Sequence, residues 1–323
     1  MNDVKFGVTL NIASDDYDKL VHETVECEKL GYYSAWIYDH FFNGTAPLFE
    51  CWTLLSFLAA TTRTLRLGTL VLCNSYRIPS VLAKMAATFD VLSNGRLEFG
   101  FGAGWKQDEY LAYGIPFPKT PIRIAQMKEA VTIIKKMWTE DHPVFQGKYY
   151  HIDDALCNPK PVQQPHPPIW IGGTGERLLL RAVAEQADGW NIYCRDAVGL
   201  KECAHKLAVL KKHCYAIGRD PNEIEKSWYG DLVIARTTNQ VQEKLENLTS
   251  ASWSYVLAED GTWKTQRIPT EEYVRQNIVG TPEECVEKLH QFVELGFTYF
   301  ILGQISFRKE EKELFVDEVI PNI

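Results

Sequence analysis

Eight short apolar runs alternate with helical patterns along one chain, and this rhythm predicts an α/β protein folded as a (β/α)8 TIM barrel with insertion segments. The runs span 5–10, 34–38, 65–72, 96–101, 169–173, 189–193, 228–235 and 299–302. The run from Arg66 to Leu72 is nearly continuous in β-branched residues and Leu, as expected of a parallel strand covered on both faces. The length of 323 residues exceeds a typical barrel by an amount that insertions absorb.

The elements follow in order. A helical pattern at 17–30 separates the first two strands. The third run breaks into Cys73-Asn74-Ser75-Tyr76-Arg77, and Pro79 opens a helix whose Val81, Leu82, Met85, Phe89 and Leu92 recur every three or four residues. Asn94-Gly95 stops it. The fourth run ends in Gly102-Ala103-Gly104-Trp105, where missing side chains let a ligand approach the backbone. A helix at 121–138 carries Met127, Ala130, Val131, Ile134, Met137 and Trp138 on one face. From 143 to 168 a Gln-Gly turn and a proline-rich exit suggest an inserted hairpin or lid. The fifth run leads through Gly172-Gly173-Thr174-Gly175 into a helix expected at 176–185. A second insertion, 252–280, mixes Trp253, Tyr255, Trp263 and Tyr273 with charge and carries no clear pattern. Thr281-Pro282-Glu283-Glu284 is a capping box that starts the helix 282–295. No repeat or composition shift divides the chain, so 1–323 reads as a single domain with insertions near 143–168 and 252–280.

Composition narrows the function. Asp and Glu outnumber Lys and Arg, 42 to 34, and no basic cluster offers a nucleic-acid footprint. No run approaches the roughly 18 apolar residues of a membrane span, and the first ten residues enter a strand without a signal-peptide core. Eight cysteines without a secretion signal read as reduced thiols of a cytoplasmic protein. Cys203, His205, His213 and Cys214, with Asp196 near, invite a zinc reading. On a helix, however, Cys203 and Cys214 would stand roughly 16 Å apart, too far to share an ion, so no metal is expected. The commonest phosphotransfer, serine-hydrolase and zincin motifs are absent.

The candidate site lies at the carboxyl ends of the strands, where barrels place their chemistry. Asp39-His40 ends the second: the imidazole can donate, accept or carry a proton, and the carboxylate can bind a polar cofactor edge. Taken alone, such a pair is more often structural. Gly172, Gly173, Thr174 and Gly175 precede a helix and make either a phosphate cradle of free amides or an ordinary turn. Asn191 and Tyr193 end the sixth strand and Glu109 follows the fourth; each is weak by itself. Trp52, Trp105, Tyr113 and Phe117 suit an apolar or aromatic substrate and equally suit the core.

Together these residues resemble the bacterial luciferase-like superfamily, and within it the coenzyme F420-dependent oxidoreductase branch. The resemblance covers nearly the whole chain. It rests on Asp39-His40, the Cys73 to Arg77 run with Pro79, Gly95-Arg96-Leu97 before Gly100-Phe101-Gly102-Ala103-Gly104-Trp105, and Pro159-Lys160-Pro161 leading to Ile169-Trp170-Ile171-Gly172-Gly173. It implies a barrel binding F420, or alternatively FMN, at its carboxyl-terminal face, with a non-prolyl cis peptide near Leu70-Val71 behind the ring. It further implies that Asp39 contacts the deazaflavin beside Cys73 and Asn74. His40 then acts at the hydride-carrying carbon, Glu109 is a catalytic acid, and Gly104 and Trp105 flank the ring or substrate. Gly172 to Gly175 hold the phosphate, and Asn191 completes the cofactor set. The activity implied is hydride transfer to or from an organic substrate by a homodimer. The alternatives are an FMN-dependent monooxygenase and a non-catalytic flavin-binding barrel.

Overall fold

A computed structural model describes residues 4–195, 199–251, 253–257, 263–303 and 308–323. Eight strands form the barrel: β1 (Lys5–Thr9), β2 (Ser34–Ile37), β3 (Arg66–Thr69), β4 (Leu97–Gly102), β5 (Ile169–Gly172), β6 (Gly189–Tyr193), β7 (Glu225–Ile234) and β8 (Tyr299–Gly303). Each pairs in parallel with its neighbours, and β8 closes on β1 with Phe6 opposite Phe300. The (β/α)8 expectation is met. Helices α1 (Tyr17–Lys29), α2 (Cys51–Thr61), α3 (Pro79–Leu92), α4 (Thr120–Thr139), α5 (Leu179–Gln186), α6 (Gly199–Ala216), α7 (Thr238–Ala251), α8 (Pro282–Leu295) and α9 (Lys309–Glu318) accompany them.

The lower barrel is filled by aromatic side chains. Trp36, Trp170 and Tyr299 meet edge to face, with ring centroids 5.3–6.1 Å apart. Their polar tips stay paired: Trp36 Nε1 donates to Ser34 Oγ at 2.7 Å and Trp170 Nε1 to Glu98 Oε2 at 2.6 Å. Glycine makes the room. A Cβ at Gly68 would lie 2.3 Å from the Trp36 ring, and one at Gly189 would lie 2.2 Å from the Trp170 ring. Outside the strands, α4 buries Met127, Ala130, Val131, Ile134, Met137 and Trp138, the face that its periodicity marks. The capping box forms at Thr281 and Glu284, and Gly296 ends α8 in the left-handed region.

Three boundaries differ from the sequence reading. The third run is interrupted: β3 ends at Thr69, the Leu70–Val71 peptide is cis, and Leu72–Cys73 resumes pairing with β4. β7 begins at Glu225 rather than 228, because its charged first residues are paired. Lys5 donates to Glu225 at 2.9 Å, and buried Lys226 donates to the Pro221 carbonyl at 2.7 Å. α5 begins at Leu179, three residues beyond its expected start. The segment 143–168 holds a small antiparallel hairpin of Phe145–Gln146 and His151–Ile152. In 252–280, Trp253–Leu257 pairs with Trp263–Arg267, helix Thr270–Gln276 follows, and Ile278–Gly280 pairs with the end of β7; residues 252 and 258–262 lie outside the described residues. Among the described residues no helix is long and apolar enough to cross a membrane.

Candidate active site

His40 stands past the end of β2 with its side chain 25% exposed at the barrel mouth. Its Nδ1 lies 2.9 Å from Glu109 Oε2. Glu109 is fully buried and accepts from every side: Tyr76 Oη at 2.6 Å, Lys106 Nζ at 2.9 Å, and the amides of Phe41 and Phe42 at 2.9 and 3.3 Å. Burial works to raise its pKa. The hydrogen bond and charge of His40, then Tyr76 and Lys106, outweigh that and bring it down to about 2. A carboxylate so held accepts hydrogen bonds and has no proton to give near neutral pH, which argues against the catalytic-acid role that the resemblance implies. Since it can only accept, Nδ1 of His40 carries a proton and Nε2 is left for the mouth. Trp105, 36% exposed, sets its ring edge to face with His40 at 5.6 Å.

Asp39 faces the other way. Its carboxylate accepts from Arg77 Nη1 at 2.8 Å and Nη2 at 2.9 Å and from the Cys73 amide at 2.8 Å. Arg77 also reaches Glu50, whose carboxylate caps α2 through the amides of Trp52 and Thr53. Both Asp39 oxygens are therefore taken by protein donors. The pairing ties the end of β2 to the loop after the cis peptide, the same loop that carries Tyr76 to Glu109.

Around that loop the backbone is left open. Val71 faces glycine on two strands: a Cβ at Gly102 would lie 2.7 Å from its side chain and one at Gly172 would lie 3.1 Å away. Gly104, at φ 75°, has room for no side chain, because a Cβ would meet Tyr110 Oη at 2.0 Å and Cys73 Sγ at 2.5 Å. Cys73 bonds that same hydroxyl at 2.9 Å, and burial pushes its thiol up to about 12, so it is no nucleophile. Asn74, 1% exposed, donates to Tyr150 Oη at 3.2 Å and leaves its carboxamide oxygen without a protein partner.

The loop after β5 is partly committed. Gly173 donates its amide to Asn191 O at 3.1 Å, and its carbonyl accepts from Trp190 Nε1 at 2.8 Å. Among the described residues the amides of Thr174, Gly175, Glu176 and Arg177 donate to no protein acceptor. Asn191 is buried on Ser227 at 2.7 Å, and Tyr193 stacks on Tyr229 with centroids 4.9 Å apart.

Sequence reasoning missed Lys106 and Tyr76 as members of the site; the spacing of Lys106 three residues before Glu109 is the signal that could have found the first. Trp52 is a core residue against Phe89, and Phe117 packs on Tyr110 and Arg123. Tyr113 is exposed and stacks on Phe41 at 4.3 Å. Cys203 and Cys214 face the core while His205 and His213 reach Glu176; Asp196 lies outside the described residues.

A family model described as luciferase-like monooxygenase matches residues 4–299. The chain is 31% identical to an F420-dependent glucose-6-phosphate dehydrogenase of Kineococcus radiotolerans, covering 88% of this chain and 86% of the relative. It is 26% identical to an FMNH(2)-dependent dimethylsulfone monooxygenase of Pseudomonas putida, covering 84% and 78%. Among solved structures, an F420-dependent secondary alcohol dehydrogenase in complex with an F420-acetone adduct superposes with a TM-score of 0.78, at 20% identity and over 99% of both chains.

Proposed function

The chain belongs to the luciferase-like monooxygenase family, and within it we propose an F420-dependent oxidoreductase that moves a hydride between the coenzyme and an organic substrate. The observation that carries the chemistry is the partly exposed His40, fixed at Nδ1 by an ionised Glu109, which leaves Nε2 as the ring nitrogen for a substrate. The relatives support the cofactor, the 31% identical one being F420-dependent.

The residues fit such a group. The uncommitted amides from Thr174 to Arg177 suit a phosphate, and the unpartnered Asn74 oxygen suits a ring N–H. The half-buried Leu70–Val71 turn, flanked by Gly102 and Gly172, suits a flat ring. When bound, the coenzyme supplies a two-electron hydride carrier. The protein supplies position and a proton site. His40 Nε2 takes the proton from a substrate hydroxyl, or returns it to a carbonyl oxygen, while Glu109 holds the ring in place through Nδ1. Glu109 thus positions, and Asp39 with Arg77 sets the loop that carries Cys73, Asn74 and Tyr76. Trp105 covers one side of His40.

A second reading, an FMN-dependent monooxygenase, is favoured by the 26% identical relative. A barrel that merely stores flavin would have no use for the His40–Glu109 pair. Equilibrium dialysis of the purified protein against F420 and, separately, FMN decides: F420 should bind more tightly, and tight FMN with no measurable F420 would overturn the reading.

We read 1–323 as one domain with insertions near 143–168 and 252–280, since barrel strands come from residue 5 to residue 303. Its eight buried free thiols suit the cytoplasm. A homodimer is supported by the groove of about 310 Å3 between α2 and α3, where Val81 and Leu92 are exposed. Light scattering behind gel filtration should give twice the chain mass; the chain mass alone would refute it.

A further inference from the structure

Glu109 has a second ionic partner besides His40. Lys106 directly precedes the short helix Gln107–Ala112 that carries Glu109, and it is 6% exposed, a burial that lysine tolerates only when paired. Its Nζ donates to Glu109 Oε1 at 2.9 Å and to the Phe42 carbonyl at 2.7 Å, and it lies 4.3 Å from the centre of the Phe42 ring. His40 and Tyr76 take the other carboxylate oxygen, Oε2. The carboxylate thus stands between a lysine and a histidine, one on each oxygen.

A buried carboxylate whose only cationic partner were His40 would favour the imidazolium, because an opposite charge within about 4–6 Å stabilises the charged form. An imidazolium has no lone pair at Nε2 and cannot take a proton. With Lys106 in place the carboxylate is already balanced, and charging His40 would set a second cation close to the first. We propose that Lys106 is a positioning residue that acts through Glu109 to keep His40 uncharged, so that the bond fixing Nδ1 leaves Nε2 basic. Its use in catalysis rests on the hydride-transfer reading above, whereas the charge balance belongs to the free protein.

The other groups around the pair leave that balance standing. Tyr76 stays neutral, since burial and then its bond to Glu109 push its phenol far above the ordinary range. Tyr38, whose ring lies 5.6 Å from that of His40, stays neutral too, burial pushing it up to about 12. The amides of Phe41 and Phe42 and the ring of Trp105 bring no charge. Asp39 turns to Arg77, which also reaches the partly exposed Glu50, and Asp108 is exposed and caps the Glu109 amide at 3.0 Å, so the two outlying carboxylates are screened by water.

Histidine side-chain 15N spectra of the purified, cofactor-free chain read the charge directly, the His40 signals among those of eight histidines being the ones missing from His40→Gln. At neutral pH they should be those of a neutral ring protonated at Nδ1; imidazolium signals there would overturn the proposal. In Lys106→Met, which keeps the stem and removes the charge, the midpoint of the His40 titration should move up by about one pH unit or more, the lower end of what a charge at this range does. Lys106→Arg keeps the charge and should move it less than half as far. Lys106→Gln, uncharged but still a donor, should behave as Lys106→Met does and decides the matter if the methionine variant does not fold. A midpoint that the neutral variants leave in place, or that Lys106→Arg moves as far as they do, would reduce Lys106 to a tie on the Phe42 loop. No cofactor is present in these spectra, so their outcome stands apart from whether F420 or FMN binds, which the dialysis decides.

Discussion

His40 Nδ1 and Glu109 Oε2 are 2.9 Å apart across 69 residues of sequence, and the carboxylate is wholly buried while the imidazole reaches the barrel mouth. One partner is fixed and dry, the other addressable. Their division of labour follows: the group that meets substrate is His40, and the group that decides which nitrogen it offers is Glu109.

Replacing His40 with alanine should lower turnover by at least about 100-fold, the lower end of what a positioned acid or base contributes. The side chain is one-quarter exposed, so its loss opens a gap at the mouth and not a core cavity. The melting temperature should hardly move. A variant that melts many degrees earlier, with its folded fraction turning over normally, would make His40 a packing residue.

Glu109→Gln probes the other half. The amide keeps an acceptor for one neighbour but loses the charge that Lys106 and the His40 ring face, so turnover should fall and its pH profile should shift, with cofactor affinity within about twofold. Stability carries a second readout. The folded pKa of about 2 lies below the usual 4.5, so this carboxylate stabilises the fold above the higher value and loses that effect as pH falls through the lower one. Denaturation curves of the two proteins should therefore converge between about pH 4.5 and 2. Parallel curves across that window would show that Glu109 is not held ionised by its neighbours.

The eight strands were legible because apolar runs mark mostly buried strands, although the third run is cut after Thr69 and the seventh strand starts before its run. The cis peptide at Leu70–Val71 falls where the family resemblance puts it. The partners of the site residues were not legible, because they are set by tertiary contact. Asp39 is answered by Arg77, 38 residues on, and Glu109 by the amides of Phe41 and Phe42, more than 60 residues back. β7 hid its first residues for the same reason: Glu225 and Lys226 look like surface until Lys5 and the Pro221 carbonyl are placed beside them.

Arg77→Met should be strongly destabilising. It leaves the Asp39 carboxylate, whose side chain is 1% exposed, without its guanidinium, and breaking one side of a buried pair costs about 3–5 kcal/mol. Urea unfolding should show most of that loss. Adding Asp39→Asn removes the stranded charge and should recover part of it, by at least about 1 kcal/mol. If the double variant is no more stable than the single one, Arg77 serves chiefly through Glu50 and the start of α2.

The loop after β5 is best probed at Gly175. Gly173 is a poor choice: its φ is 123°, and a Cβ there would lie 2.4 Å from Leu179 Cδ2, so any substitution strains the fold before it reports on a ligand. At Gly175 a Cβ would meet only Leu179 Cβ, at an ordinary 3.5 Å. Gly175→Asp therefore puts a carboxylate among the uncommitted amides of Thr174 to Arg177 with little strain. Like charges about 4 Å apart repel by ~1 kcal/mol in water and by more where solvent is excluded. A cofactor phosphate held there should bind roughly tenfold or more weakly, with the melting temperature of the free protein changed by no more than about 2 °C. Calorimetry with F420, and with FMN as the comparison, reads the effect. Unchanged affinity for whichever cofactor binds would return the loop to an ordinary turn and send the phosphate elsewhere on the barrel rim.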